Sequence, residues 1–208
     1  MSRLAERPGA YGFLAAFEAR HGRFQTLQGR LPQDLPPQGV YVFMDPSAGS
    51  VEGFPRIVRV GTHGVSITSK ATLRGRLRQH QGAMAGPTAG GGNHRGSVFR
   101  KHVGFALGTD GFRGMAAGTW GQGATAPALV REQELEHEQA VSQYLRSLPF
   151  AFAEVSGAPD LRLSLERRLI AELAVLTLEN PPKGSWLGWR SPNPTIVSAG
   201  LWNVHGVP

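Results

Sequence analysis

The sequence predicts an α/β fold of the α+β type, in which helices flank a small sheet of three mixed or antiparallel strands. Three short runs rich in β-branched and aromatic residues predict the strands: 39–43 (GVYVF), 56–60 (RIVRV) and 149–155 (PFAFAEV). Segments with apolar residues at helical spacing precede, separate and follow these runs. Glycine and proline are frequent, with 28 and 15 residues, so long loops are expected between the elements.

The first two strands are expected to form an antiparallel hairpin. Residues 44–55 between them (MDPSAGSVEGFP) are rich in turn formers and predict a long loop. Because side chains alternate along a strand, Tyr41 shares a face of the first strand with Phe43. By the same rule, Arg59 shares a face of the second strand with Ile57. Tyr41 and Arg59 therefore face the same side of the hairpin if the register allows it.

The N-terminal segment 1–37 is expected to hold one helix and a connector. Apolar residues at helical spacing predict a short amphipathic helix over 9–20. Residues 31–38 (LPQDLPPQ) hold three prolines, which lack the backbone donor and fix φ, so this stretch is expected to be extended. The main domain is expected to span residues 38–208.

A helix is predicted over 70–81 (KATLRGRLRQHQ), with Thr68 or Ser69 as its N-cap. Four residues of this helix fall on a single stripe that is expected to face the protein. They are Leu73, Arg76, Leu77 and His80. The stripe is unusual because it contains a guanidinium and an imidazole as well as two leucines.

Two glycine-rich segments, 82–96 and 108–127, predict long mobile loops, because they cannot hold regular structure for long. A short helix is expected between them, with Ser97 as its cap. This helix is expected to carry Arg100 and Lys101 on its outer side.

Two longer helices are predicted in the C-terminal half. The first spans 128–148 and combines inward apolar residues with a charged face that is expected to be solvated. The glutamates of this face are Glu132, Glu134, Glu136 and Glu138. The second spans about 161–178, with Asp160 as its cap and a leucine stripe toward the core. Glu166 lies at the edge of that stripe.

Composition limits the function classes. The 208 residues include 22 Lys and Arg against 15 Asp and Glu, and the net charge of +7 favours a polyanionic partner. Because the chain has no cysteine, it cannot form a disulfide scaffold, an iron–sulfur cluster or a cysteine nucleophile. The histidines lack zinc-site spacing. No run is long and apolar enough for a membrane span or a signal peptide, so a cytoplasmic protein is expected.

Five short motifs occur in a fixed order along the chain. They are 39–41 (GVY), 59–61 (RVG), 73–80 (LRGRLRQH), 166–170 (ERRLI) and 200–203 (GLWN). Each motif is weak alone, but their order resembles that of the GIY-YIG nuclease superfamily, as in its restriction-endonuclease-like or stand-alone members. The resemblance covers about residues 38–205. It implies a GIY-YIG-like sheet and the hydrolysis of nucleic-acid phosphodiester bonds, leaving a 5′ phosphate and a 3′ hydroxyl.

The resemblance also implies roles for particular residues. Tyr41 assists deprotonation of the attacking water, with His63 or His80 as a relay or substitute base. Arg76 and Arg59 hold the scissile phosphate. Glu166 binds one Mg²⁺ (or Mn²⁺) ion, and Asn203 matches a late asparagine that is found in many members. The sequence departs from the family pattern at Arg59, which stands where a second tyrosine is usual and cannot act as a base.

Purely structural interpretations of these residues remain open. Glu166 pairs with Arg162, one helical turn earlier, in the simplest alternative. Outside the site, Arg95, Arg100 and Lys101 are expected to follow a DNA backbone, although a basic surface without this role explains them equally well.

The expected function is a metal-dependent endonuclease acting on double-stranded DNA, with a restriction or defence role, and a homodimer would suit symmetric cleavage. The alternative is a catalytically inactive DNA-binding protein with the same fold. A third interpretation treats the motifs as coincidence in a protein that binds another protein or a small ligand.

Overall fold

A computed structural model describes residues 9–66, 68–108 and 116–208, apart from the side chains of 116 and 117. Its sheet has three antiparallel strands in the order β2-β1-β3. They are β1 (Gly39–Val51), β2 (Phe54–Gly61) and β3 (Phe150–Glu154). The three predicted strands and the α+β class are confirmed, and the pairing is antiparallel throughout.

The predicted loop over 44–55 is wrong, because the hairpin strands continue through most of it. A two-residue turn joins them at Glu52 and Gly53, which both have positive φ, 52° and 87°. Positive φ at both turn residues matches the twist of the paired strands. The turn formers before it lie in a register shift between Asp45 and Ser50, which the extended strands accommodate as a bulge.

The register of the hairpin brings the predicted face together. Tyr41 lies opposite Gly61, and Phe43 lies opposite Arg59. The Tyr41 ring lies directly over Gly61, where a Cβ atom would overlap the phenol. Glycine at position 61 therefore makes room for the tyrosine, and Tyr41 and Arg59 share one face of the sheet.

The helices surround this sheet. They are α1 (Ala10–His21), α2 (Leu73–Gln81), α3 (Val98–Leu107), α4 (Ala116–Thr119), α5 (Ala128–Gln133), α6 (Leu135–Ser147), α7 (Pro159–Glu179) and α8 (Pro194–Ala199). The N-terminal helix packs through Phe17 against Phe152 of β3, with ring centroids 5.2 Å apart. The division at residue 38 remains a proposal, since α1 shares the hydrophobic core of the sheet.

Three helix boundaries differ from the predictions. The N-cap of α2 is Thr72, whose side chain accepts a hydrogen bond from the Gly75 N–H, so neither Thr68 nor Ser69 caps it. The segment 128–148 is two helices, α5 and α6, which meet at Glu134. Asp160 lies in the first turn of α7 and is not its cap, because Pro159 already occupies the first helical position.

The glycine-rich segment 82–96 is anchored by hydrogen bonds. Ala83 exchanges backbone bonds with Gly90 and Gly91, and Arg146 of α6 donates to the Ala83 carbonyl. In the second segment, α4 lies within the predicted loop, and residues 109–115 lie outside the described part of the chain.

The outward placement of Arg100 is wrong. Ser97 caps α3 as predicted, but Arg100 is 0% exposed and forms an ion pair with Glu138 at 2.5 Å. Arg95 likewise pairs with Glu134 at 2.6 Å.

The solvated glutamate face is wrong for Glu134 and Glu138, which are buried, whereas Glu132 and Glu136 are exposed as expected. The two buried glutamates occupy the same helical stripe as Val141 and Leu145. This spacing indicates burial, but the charge of the neighbouring glutamates favoured a solvated face instead. Although burial raises the pKa of Glu138, hydrogen bonds from His94 and the charge of Arg100 bring it below its ordinary value.

We predict that Glu138→Gln lowers the free energy of unfolding by about 3 to 5 kcal/mol, because the buried Arg100 charge loses its partner. Urea denaturation followed by circular dichroism measures this loss. Glu136→Gln is the matched control, because Glu136 lies on the exposed side of the same helix and should cost less than about 0.5 kcal/mol. Equal effects of the two substitutions would contradict a structural role for the buried pair.

Candidate active site

Five of the predicted residues lie close together around strands β1 and β2. Tyr41 comes from β1 and Arg59 from β2, while Arg76 and His80 come from α2 and Glu166 from α7. The cross-strand register places the first two, and α2 and α7 bring the other three against them. Residues that are far apart in the sequence therefore form a single cluster.

Tyr41 and His80 form a hydrogen bond at the buried base of this cluster. The phenol oxygen lies 2.8 Å from His80 Nε2, and both side chains are 0% exposed. Burial, together with the nearby Arg76 and Arg59 guanidiniums, holds the pKa of His80 well below its ordinary value of 6.5. A neutral imidazole that accepts a hydrogen bond from the phenol O–H at Nε2 carries its own hydrogen on Nδ1. This Nδ1 atom lies 3.4 Å from the Ser97 hydroxyl.

Arg59 contacts the phenol of Tyr41. One of its terminal nitrogens donates to the Trp202 carbonyl at 2.9 Å, and the guanidinium lies 5.5 Å from the centre of the Phe99 ring. Burial lowers the pKa of Arg59, while its contact with Tyr41 and the charge of Glu166 oppose that shift. Arg59 therefore interacts with the tyrosine and feels the charge of the carboxylate on α7.

Arg76 forms the outer edge of the cluster. It is half-buried, and one terminal nitrogen donates to Gln79 Oε1 at 2.9 Å. Its Nε atom is buried and has no hydrogen-bond partner among the described residues, and the same is true of Arg59 Nε. Unsatisfied buried donors are costly, and both of these N–H groups are available to an acceptor such as an anion.

Glu166 is half-buried beside the two arginines. Burial raises the pKa of its carboxyl group, and the charges of Arg59 and Arg76 and a hydrogen bond from the Thr62 N–H oppose the shift. The alternative pairing with Arg162 does not occur. The Arg162 guanidinium instead donates to the Gln38 side chain and to the carbonyls of Val155, Gly157 and Gly64.

His63 and Asn203 lie beside the cluster in different ways. His63 Nε2 lies 3.1 Å from the Pro37 carbonyl, and burial, with the charges of Arg162 and Arg76, lowers the pKa of the ring. Asn203 uses both ends of its amide on the backbone of Val60, at 3.0 and 2.9 Å. It therefore fastens the C-terminal segment to the edge strand next to Arg59, which is a positioning role.

Several contacts of the cluster were missed from the sequence. Phe99 and Ser97 of α3 contact Arg59 and His80, and burial, with the charges of Lys101, Arg59 and His205, lowers the pKa of His102 to about 4. The helical spacing of Phe99 and His102 was visible, but only the tertiary structure shows which site they face.

The side chains suit a hydrated Mg²⁺ ion better than a metal enclosed by protein ligands. Within 9–66, 68–108 and 116–208, no group of three or more histidine or acidic side chains is placed to hold a metal. Glu166 is a single carboxylate beside the guanidinium groups of Arg59 and Arg76. Mg²⁺ is commonly held by one or two carboxylates, water and substrate phosphate, so the donor set at Glu166 fits this ion.

A family model described as the GIY-YIG domain matches residues 1–208. The chain belongs to the GIY-YIG domain family. Searches of curated proteins and of solved structures found no match. Membership of the GIY-YIG family indicates a nuclease-type function with a nucleic-acid substrate, and nucleases of this family typically use divalent metal ions. In the described part of the chain, no helix has the length and apolar character needed to cross a bilayer.

We predict that the stability of the chain decreases as the pH falls below 6.5. The folded chain keeps His80 uncharged, whereas the unfolded chain binds a proton near pH 6.5, so acid favours unfolding. His80 alone contributes a slope of up to about 1.4 kcal/mol per pH unit. Urea denaturation at a series of pH values measures the slope.

His80→Gln should reduce this slope, because glutamine has no proton to gain. His205→Gln, at an exposed histidine, provides the matched control. An unchanged slope in His80→Gln would contradict the buried neutral imidazole.

Proposed function

We propose that this chain is a metal-dependent endonuclease that hydrolyses phosphodiester bonds in double-stranded DNA. The observation that carries the proposal is the cluster of Tyr41 and His80 beneath two guanidiniums with unpartnered Nε atoms, with Glu166 beside them. Hydrolysis of a phosphodiester needs a proton acceptor, stabilisation of the phosphoryl charge and assistance to the leaving oxygen. The cluster contains groups for each of these tasks.

The two arginines bind the scissile phosphate in this proposal. Arg59 and Arg76 present forked donors that match phosphate oxygens, and each has an Nε–H available for such a bond. Water is largely excluded around Arg59, so its attraction for a phosphoryl oxygen is stronger than it would be in bulk solvent. Gln79 keeps Arg76 oriented through the bond to its terminal nitrogen.

Tyr41 and His80 move the proton. The attacking water gives a proton to the phenol oxygen as the phenol proton passes to His80 Nε2, which the low pKa keeps free to accept it. Arg59 contacts the phenol, which is 0% exposed, and in this proposal a phosphate that draws the guanidinium toward itself also opens Tyr41 to the water. Nδ1 of His80 remains directed toward Ser97 throughout.

Glu166 would hold one Mg²⁺ (or Mn²⁺) ion together with water and the phosphate. The ion would supply charge neutralisation at the phosphoryl and leaving oxygens. Thr62 keeps the carboxylate in position through its backbone N–H.

Other features of the proposal go beyond the site itself. A restriction or defence role, a cytoplasmic location and a homodimer that cuts both strands remain parts of it. Lys101 remains a proposed DNA contact, whereas the ion pairs of Arg95 and Arg100 favour a structural role for those two residues.

The second candidate is a DNA-binding protein that kept the fold and lost the chemistry. The observation in its favour is Arg59, which replaces the usual second tyrosine and contacts the phenol of Tyr41, which is 0% exposed. Both candidates bind DNA with strong salt dependence, and only the first one cleaves it.

We predict that the chain nicks supercoiled plasmid with Mg²⁺ and not with a chelator. Arg76→Ala and Glu166→Gln should each lower the rate at least about a hundredfold, because each removes charge stabilisation from the transition state. Gel electrophoresis at saturating protein concentration measures the rate.

Arg78→Ala and Glu179→Gln are the matched controls, since both residues are exposed on the same helices as the site residues. They should keep at least about a third of the wild-type rate, within the small effects expected of exposed substitutions. Salt-sensitive DNA binding without any nicking would favour the second candidate.

A further inference from the structure

A cleft opens beside the catalytic cluster, between the loop that follows β2 and helix α2. Its volume is about 520 Å³. Arg76 belongs both to this cleft and to the catalytic cluster, so anything bound in the cleft adjoins the scissile phosphate. The polar and charged residues that line it include Thr62, His63, Lys70, Arg76 and Gln79.

The cleft is too large and too varied to serve a phosphate alone. Sites for small organic ligands have volumes of about 300 to 1,000 Å³, which includes the size of this cleft. Lys70 and Arg76 supply cationic groups, and Gln79 supplies an amide whose oxygen is already used by Arg76. A ligand that matches this lining has an anionic end and a neutral polar portion.

His63 lines the cleft and has a buried ring nitrogen without a partner among the described residues. The residue is 5% exposed, and its Nδ1 atom has no hydrogen-bond partner among the residues that the structure describes. Since Nε2 faces the Pro37 carbonyl, Nδ1 is left as the acceptor of a neutral ring. A buried acceptor of this kind calls for a donor from a ligand or from water that the ligand orders.

Val65 adds an apolar side chain to the lining of the cleft. Val65 is 50% exposed, although it lies among cations and hydroxyl groups. The loop is held in place just before it, because the buried Arg162 donates to the Gly64 carbonyl at 3.0 Å. Gly64 has a φ of 60°, a conformation that suits glycine at this bend. Val65 is thus an exposed apolar side chain next to an anchored piece of backbone.

We propose that this cleft binds one nucleotide that flanks the scissile phosphate. Lys70 contacts the phosphate of that nucleotide, Val65 packs against its sugar or base, and the Gln79 amide nitrogen donates to the edge of the base. The inference rests on the proposed nuclease function and assigns the substrate portion that lies next to the reacting phosphate.

Binding of thymidine 5′-monophosphate to the full chain, without metal, tests the assignment. Methyl-labelled NMR follows the Val65 resonances and yields the dissociation constant. The mononucleotide should shift the Val65 methyl groups and bind about tenfold more tightly than inorganic phosphate or thymidine. Val65→Ser should weaken binding of the mononucleotide severalfold and leave binding of inorganic phosphate unchanged.

Val175→Ser is the matched control, because Val175 is a similarly exposed valine on α7 outside the cleft, and it should not change either affinity. Lys70→Ala should weaken both phosphate-containing ligands. Equal affinities for the mononucleotide and phosphate, or unshifted Val65 methyl groups, would overturn the proposal and leave a backbone phosphate contact. These measurements involve no hydrolysis, so their outcome is separate from that of the plasmid assay.

Discussion

The close contact between Tyr41 and Gly61 is the constraint on which the site depends. The two residues face each other across the β1–β2 hairpin, and the phenol occupies the space that a Cβ atom at position 61 would need. Because side chains alternate in a strand, this register also fixes Arg59 on the side of Tyr41. A slip of one residue would send Arg59 to the other face and separate the guanidinium from the phenol.

The site combines groups that are costly to bury. Tyr41 and His80 satisfy each other with one hydrogen bond, and the imidazole avoids the cost of a buried charge because it stays neutral. Arg59 keeps its charge by contacting the phenol, the Trp202 carbonyl and the Phe99 ring. Its Nε, like that of Arg76, is buried without a partner, which is a cost to the folded chain. In the proposed function, a bound phosphate would remove that cost.

Sequence reasoning found most residues of the cluster for a physical reason. Helical spacing is a local rule that puts Arg76 and His80 on one stripe, whereas strand alternation puts Tyr41 and Arg59 on the same side only if the hairpin register allows it. Glu166 came from the resemblance to the GIY-YIG motifs. The contact between the strand residues and the helix residues depends on the tertiary structure, which local rules do not predict. The same is true of Asn203, whose amide hydrogen-bonds to the Val60 backbone.

The errors have physical causes as well. Turn-forming residues at 44–55 lie inside a bulged strand, because pairing with β2 outweighs their preference for turns. Arg100 and Glu138 were assigned to the surface by their charge, although each is buried only because the other neutralises it.

A double-mutant cycle on Arg76→Lys and Glu166→Asp tests most directly whether residues from α2 and α7 act on a single phosphate. The cleavage rates of the wild type, both single variants and the double variant are compared at saturating Mg²⁺. If the two residues stabilise the same transition state, the double variant should be slowed much less than the product of the two single effects. Single effects that multiply, or a wild-type chain that does not cleave, would contradict the account.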